Sequence, residues 1–181
     1  MTEVFLRRLS RWQAETQREA MADLYVESYQ GAPGEVFQDR QGFLDRYAED
    51  VQRTGFEMVI AGAAELGGCA YGYTVDRAGT WWQGFTGAHP EAEELTAAGQ
   101  VFLVAELMVR PGERRAHVAT RLLEHLLTRT ETAWVVAGVP VHAFPAHHAF
   151  SSWGWATLGR LDAAPASATG ALDVWGRRRP Q

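Results

Sequence analysis

The stretch Val101–Arg129, VFLVAELMVRPGERRAHVATRLLEHLLTR, decides the fold. Its first part, Val101–Val109, is apolar except for Glu106 and mixes aliphatic, β-branched and aromatic side chains, the composition of a strand buried on both faces. That strand carries one carboxylate. Pro111-Gly112 stops it, and from Ala116 the apolar residues Val118, Ala119, Leu122, Leu123, Leu126 and Leu127 recur at a spacing that gathers them on one helical face. Thr120, Arg121, Glu124, His125, Thr128 and Arg129 fall on the opposite, wet face. The unit is a strand, a short basic turn and an amphipathic helix. The first N–H groups of a helix lack partners within it, and the peptide dipoles put partial positive charge there. Arg114 and Arg115 add full charges, so the turn suits a phosphate or pyrophosphate.

Before this unit, Val4–Leu9 predicts a short strand, and the chain turns helical from about Gln13, with Met21, Leu24, Tyr25 and Ser28 on one face. Gly31-Ala32-Pro33-Gly34 ends that helix, and a second runs from about Asp39 to Thr54 with Phe43, Leu44, Tyr47 and Val51 inward. Glu57–Ala61 and Cys69–Val75 predict a hairpin around Ala64–Gly68. The segment from Asp76 to Gln100 is irregular and predicts a surface loop with partly buried tryptophans. After the central helix, Ala133–Val139 predicts a strand parallel to Val101–Val109 by a right-handed crossover. A short helix from Pro145 to Ser152 follows. Asp162–Gly170 is a small-residue loop, and Ala171–Gly176 is a last strand able to form a hairpin with Thr157–Leu161.

At 181 residues and 46% hydrophobic, the chain has sequence enough for one well-filled domain, residues 1–181. A net charge of −5 argues against a nucleic-acid partner. Cys69 is the only cysteine, which excludes an intrachain disulfide and a cysteine-based metal site and makes a reducing, cytoplasmic setting the expectation. The six histidines have no carboxylates at metal-ligand spacing, so no metal is expected. No run is apolar enough for a signal peptide or a membrane span, so no membrane partner is expected either.

The strand and turn of the central unit resemble the cofactor segment of the GCN5-related N-acetyltransferase (GNAT) family, in which L-x-V-x-P leads into R-G-x-G-x-G/A and a helix. Here the strand part is Leu107-Met108-Val109-Arg110-Pro111 and the turn is Arg114-Arg115-Ala116-His117-Val118-Ala119. Arg114, Val118 and Ala119 match, whereas Arg115 and His117 stand where the family uses glycine. A later family pattern, N-x-x-A-x-x-x-Y-x-x-x-G-F, is matched by Ala146, Gly154 and Trp155, with Ala143 in place of the Asn and Phe150 in place of the Tyr. The element order is also that of the family. The resemblance implies an α/β (α+β) acyl-CoA N-acyltransferase fold, with a central mixed sheet of six to seven strands flanked by about four helices.

The resemblance further implies acetyl-CoA as co-substrate. Its pantetheine arm would lie along Leu107, Met108 and Val109, in a gap where the two parallel strands splay apart. Its pyrophosphate would lie on Arg114, Arg115, Ala116, His117, Val118, Ala119 and Thr120. Acetyl transfer needs a neutral amine, a polarised carbonyl and a proton for the departing thiolate. Glu106 is the base candidate, because burial in an apolar strand raises a carboxylate toward a useful pKa; a Glu paired with an Arg at a sheet end is the structural alternative. Phe150 cannot act as the family's tyrosine acid, which leaves Ser151, Ser152, His147 or His148 as proton donors.

Trp81 and Trp82, with Glu91, Glu93 and Glu94 nearby, suit the wall of an acceptor site for a cationic or amphipathic amine. The expected function is acetyl transfer to a primary amine of a small molecule, a class that includes aminoglycosides, by direct attack in a ternary complex. A peptide or protein amine is the second acceptor class, and a GNAT-shaped binding module is the non-enzymatic alternative. A homodimer is compatible with all of these.

Overall fold

The computed structural model describes residues 4–29, 40–87, 89–162 and 170–179. Gly31–Gly34, the start of the second predicted helix at Asp39 and most of the loop before Gly170 lie outside the described residues. The elements run β1 (Leu6–Leu9), α1 (Arg11–Thr16), α2 (Arg18–Tyr29), α3 (Arg40–Val51), β2 (Glu57–Ala61), β3 (Gly68–Thr74), β4 (Phe85–Gly87), α4 (Ala92–Ala97), β5 (Val101–Val109), α5 (Val118–Leu127), β6 (Trp134–Pro140), α6 (Phe144–Ser152), β7 (Ala156–Leu161) and β8 (Leu172–Arg178). The contacts divide the chain into two compact units, Met1–Tyr73 with Ala105–Thr130 and Thr74–Val104 with Glu131–Gln181. Strand β5 contributes its second half to the first unit and its first half to the second.

In the first unit the strand order is β1-β2-β3-β5. β1 pairs antiparallel with β2, and β2 with β3, with Met58 opposite Tyr71 and Ile60 opposite Cys69. At the end of β5 the Arg110 N–H donates to the Gly67 carbonyl at 2.8 Å. One sheet face presents Met58, Ile60, Cys69, Tyr71 and Met108 to Met21, Leu24 and Tyr25 of α2 and Phe43, Tyr47 and Val51 of α3, which form one buried cluster. The Tyr47 hydroxyl donates to the Ala14 carbonyl at 2.6 Å, so its polar atom is satisfied inside that core.

Helix α5 supplies Val118, Leu122, Leu123, Leu126 and Leu127, all buried, each contributing about 1.5–3 kcal/mol by leaving water. Gly68 lets it approach β3, since a Cβ there would meet Leu122 Cδ1 at 2.9 Å and the Met108 carbonyl oxygen at 3.0 Å. Arg8 of β1 ties the far end of α5 down. Its guanidinium donates to Glu57 at 2.5 Å and, at 2.6 Å, to the His125 carbonyl of the last turn, which also accepts from the Thr128 hydroxyl at 2.8 Å.

In the second unit the order is β5-β6-β8-β7-β4. β5 and β6 are parallel, as the crossover rule requires, with Val101 opposite Trp134 and Leu103 opposite Val136. That ladder covers three residue pairs, whereas β6 pairs antiparallel with β8 over its full length, Trp134–Pro140. Phe150 of α6 lies 6% exposed among the rings of Trp153, Trp155 and Trp175.

The sheet has eight strands among the described residues, one more than the upper expectation. The extra strand is β4, in the segment read as a surface loop. That segment is ordered by local chemistry: the Trp82 indole donates to Thr96 Oγ1 at 2.9 Å, and β4 lies antiparallel to β7. Gly87 and Gly159 face each other there, and a Cβ on Gly87 would fall 2.4 Å from the Leu158 carbonyl oxygen. The single helix expected from Gln13 is two, broken at Gln17, and it begins earlier because Ser10 and Gln13 form a reciprocal capping box. The basic turn of the central unit is a 3-10 segment, Pro111–Ala116.

Candidate active site

Glu106 lies on β5 two residues before Met108, which puts its side chain on the sheet face that meets α2 and α3. It is half-buried there. The Tyr29 hydroxyl at the end of α2 donates to Glu106 Oε2 at 3.2 Å. The Tyr29 ring packs against Tyr25 with centroids 4.9 Å apart, and the Arg46 guanidinium of α3 lies over the Tyr25 ring at 5.7 Å from its centroid. A carboxylate, two phenols and a guanidinium are thereby gathered on one face by three elements.

Burial pushes the Glu106 carboxyl up to about 7, against the lowering influence of the Arg46 charge and of the Tyr29 hydrogen bond. Tyr29 and Tyr71 are held well above the ordinary phenol value, first by burial and then by the Glu106 charge, so both stay protonated donors. Burial works against the charge of Arg46, but Glu106 and the Tyr25 hydroxyl hold its guanidinium above its usual value. Asp50, one turn beyond Arg46, is raised by burial and pairs with Arg53 at 3.4 Å. A carboxyl that changes protonation near 7 is matched to proton transfer at neutral pH.

Leu107, Met108 and Val109 continue β5 and offer backbone groups. The side chains of Arg114, Arg115 and Ala116 lie outside what the structure describes. His117 follows as the N-cap of α5 with φ 55° and ψ 28°, the sole positive-φ residue other than glycine among the described residues. This is the left-handed conformation that glycine adopts without strain. The turn therefore keeps the shape of a glycine loop although a histidine fills it. Among the described residues no side chain caps α5 at His117. A helix start behind a turn whose sequence carries two arginines has the chemistry to suit a diphosphate, with Val118, Ala119 and Thr120 in the first helical turn.

Trp81 and Trp82 form a 3-10 turn in the second unit, with rings edge to face at 4.8 Å. Glu91 forms an ion pair with Arg178, which offsets part of the negative charge around them. Ser151 and Ser152 are exposed at the end of α6, and the Ser152 hydroxyl is spent on the Ala149 carbonyl at 2.7 Å. His147 is held on both sides: Nδ1 accepts from the Trp175 indole at 3.1 Å, leaving the Nε2 proton for the Pro140 carbonyl, also at 3.1 Å. Tyr29, Tyr25 and Arg46 were not singled out from the sequence as site residues. The signal was present for Tyr29, which follows Tyr25 by one helical turn on the inward face of α2.

Among the described residues no cluster of three or more His, Cys, Asp or Glu is arranged to hold a metal ion, and no helix is long and apolar enough to cross a membrane.

No protein-family model matches the chain, and no curated protein matches its sequence. Solved structures do match. An acetyltransferase of the GNAT family from Streptococcus pneumoniae superposes with a TM-score of 0.60 at 9% identity, covering 97% of this chain and 99% of that one. The PaiA N-acetyltransferase of Thermoplasma acidophilum, in complex with coenzyme A, gives 0.62 at 11% identity and covers 98% of this chain and all of that one. Aminoglycoside 6'-acetyltransferase type Ii gives 0.64 at 13% identity, covering 98% and 99%. Likenesses at these identities establish the fold.

Proposed function

We propose that this chain, which has the GNAT fold, is an acetyl-CoA-dependent N-acetyltransferase acting on a primary amine of a small molecule. The observation that carries the proposal is Glu106, a half-buried carboxylate on β5 that the Tyr29 hydroxyl holds at 3.2 Å and that burial pushes up to about 7. Acetyl-CoA supplies the acetyl group as an activated thioester.

Backbone groups of Leu107, Met108 and Val109 hold the pantetheine arm, and the turn from Arg114 to Thr120 holds the pyrophosphate, with His117 providing the left-handed backbone. Glu106 accepts a proton from the incoming ammonium or from the attacking amine, which leaves nitrogen with a lone pair to form the new bond. Tyr29 keeps the carboxylate oriented toward that task. Holding both reactants in one site supplies much of the remaining acceleration.

Phe150 favours a second reading, a GNAT-fold binding module without turnover. Its ring is packed among three tryptophans and has no proton to donate where the family has a tyrosine.

Calorimetric titration with acetyl-CoA, and separately with coenzyme A, tests both. Saturable one-to-one binding, together with thiol release when amines are added and its loss in Glu106→Gln, supports the enzyme. Binding without turnover for any amine leaves the module. No heat at millimolar acetyl-CoA with folded protein removes the acetyltransferase reading.

A further inference from the structure

We propose that the acceptor carries a carboxylate beside its amine, and that Arg46 recognises it. The inference rests on the acetyltransferase reading and names its substrate class.

The amine must reach Glu106, so the groups facing Glu106 select the acceptor. From α2 and α3 come the Tyr29 hydroxyl at 3.2 Å, the Tyr25 ring packed on Tyr29, and the Arg46 guanidinium over Tyr25, while the buried Tyr71 and Cys69 of β3 also feel the Glu106 charge. Asp50 also lies on α3, but Arg53 pairs with it. Arg46 is exposed on its helix, and among the described residues it makes no carboxylate contact within 4.0 Å. One site thus offers a carboxylate for an ammonium and, across the Tyr25 ring, a guanidinium that feels the charges of Glu106 and Asp50 but, among the described residues, is locked in no ion pair with either.

A purely cationic acceptor would gain attraction from Glu106 and lose part of it to Arg46. An acceptor with both an ammonium and a carboxylate satisfies both groups at once. The planar guanidinium matches a carboxylate in bidentate geometry. It also matches a phosphate, but a phosphate brings about −1.5 to −2 charges, more than one guanidinium balances next to Glu106. A monoanionic carboxylate is therefore the better fit.

In the reaction, the C–N bond to the acetyl group forms as the C–S bond of the thioester breaks. One amine proton passes to Glu106, and the thiolate takes up a proton as it leaves as coenzyme A. The acceptor's carboxylate keeps its charge throughout and stays on Arg46.

The test compares kcat/KM for matched pairs, phenylalanine against phenylethylamine and β-alanine against ethylamine, with acetyl-CoA at saturation. The wild-type protein is expected to favour the carboxylate-bearing member at least tenfold. Arg46→Gln should bring the ratio close to one, and Arg46→Lys should keep part of it. Equal use of both members by the wild type, turnover of the plain amines alone, or an unchanged ratio in Arg46→Gln would overturn the proposal. Acetyl-CoA binding measured on the same wild-type sample separates the two levels. Binding without the carboxylate preference overturns the acceptor assignment and leaves the acetyltransferase reading standing, whereas absence of binding overturns both.

Discussion

The Tyr29 hydroxyl donates a 3.2 Å hydrogen bond to Glu106 Oε2, joining the end of α2 to the middle of β5. The bond favours the charged carboxylate, so it opposes the burial that raises the group. In Tyr29→Phe the opposition is lost and Glu106 should titrate higher, by about 0.7 pH unit for a hydrogen bond worth about 1 kcal/mol. The rise of kcat/KM with pH, which follows deprotonation of the free enzyme's base, should move up accordingly. A midpoint left in place would show that Tyr29 does not govern the base.

Glu106→Gln removes the proton acceptor and keeps the shape. A loss of about 10²- to 10⁴-fold in turnover is expected, with acetyl-CoA affinity unchanged, because the cofactor segment is backbone and turn. Thiol-release kinetics and calorimetry check the two halves independently.

The same substitution should change how stability depends on pH. The folded state raises Glu106 from 4.5 to about 7, so between these values the folded chain binds more protons than the unfolded one. Stability from this group is therefore fully present below 4.5, falls as pH rises through 7, and is lost above it. The cost above pH 7 is about 3 kcal/mol if the whole shift is realised. Denaturant titrations should show Glu106→Gln more stable than wild type at pH 8 and nearly equal to it at pH 4. Parallel pH profiles for the two proteins would show that the carboxyl is not raised.

His117 holds a backbone conformation that costs a residue with a Cβ about 1–2 kcal/mol. Glycine relieves that and loses about 0.5–1 kcal/mol of chain entropy, so His117→Gly should gain up to about 1 kcal/mol in chemical unfolding. If the imidazole only occupies the turn, acetyl-CoA binds as well or better in the variant. Weaker binding would make His117 a ligand of the pyrophosphate.

The element order, the central strand and helix, and Glu106 as the one carboxylate in the central strand were legible because each has a local signal: an apolar run, a helical stripe, one charge inside it. Arg46 was not, and Tyr29, though its spacing from Tyr25 puts it on the inward face of α2, could not be tied to Glu106, since what joins them is the packing of α2 and α3 against β5, and contacts between residues far apart in sequence leave no periodic trace. β4 was missed for a related reason. Three residues with two glycines near them carry little strand signature, and its pairing depends on the close approach of Gly87 and Gly159. Arg8, whose partners lie on β2 and α5, is likewise unremarkable in the sequence.

Gly68 couples the packing of α5 to the turn before it. A Cβ added there would stand 2.9 Å from Leu122 Cδ1, 3.0 Å from the Met108 carbonyl oxygen and 3.3 Å from Val118 Cγ1. Leu122 can yield by changing rotamer, but the Met108 carbonyl belongs to β5 and cannot move without its neighbours, so Gly68→Ala should cost about 1–3 kcal/mol as overpacking. Relief comes most readily by lifting α5, beginning at Val118, the first residue after His117. The variant should therefore lose acetyl-CoA affinity in calorimetry as well as stability in denaturant, while the Glu106 midpoint, set by α2, α3 and β5, stays at its wild-type value. Stability lost with affinity intact would show that the strain is absorbed in Leu122 and does not reach the turn.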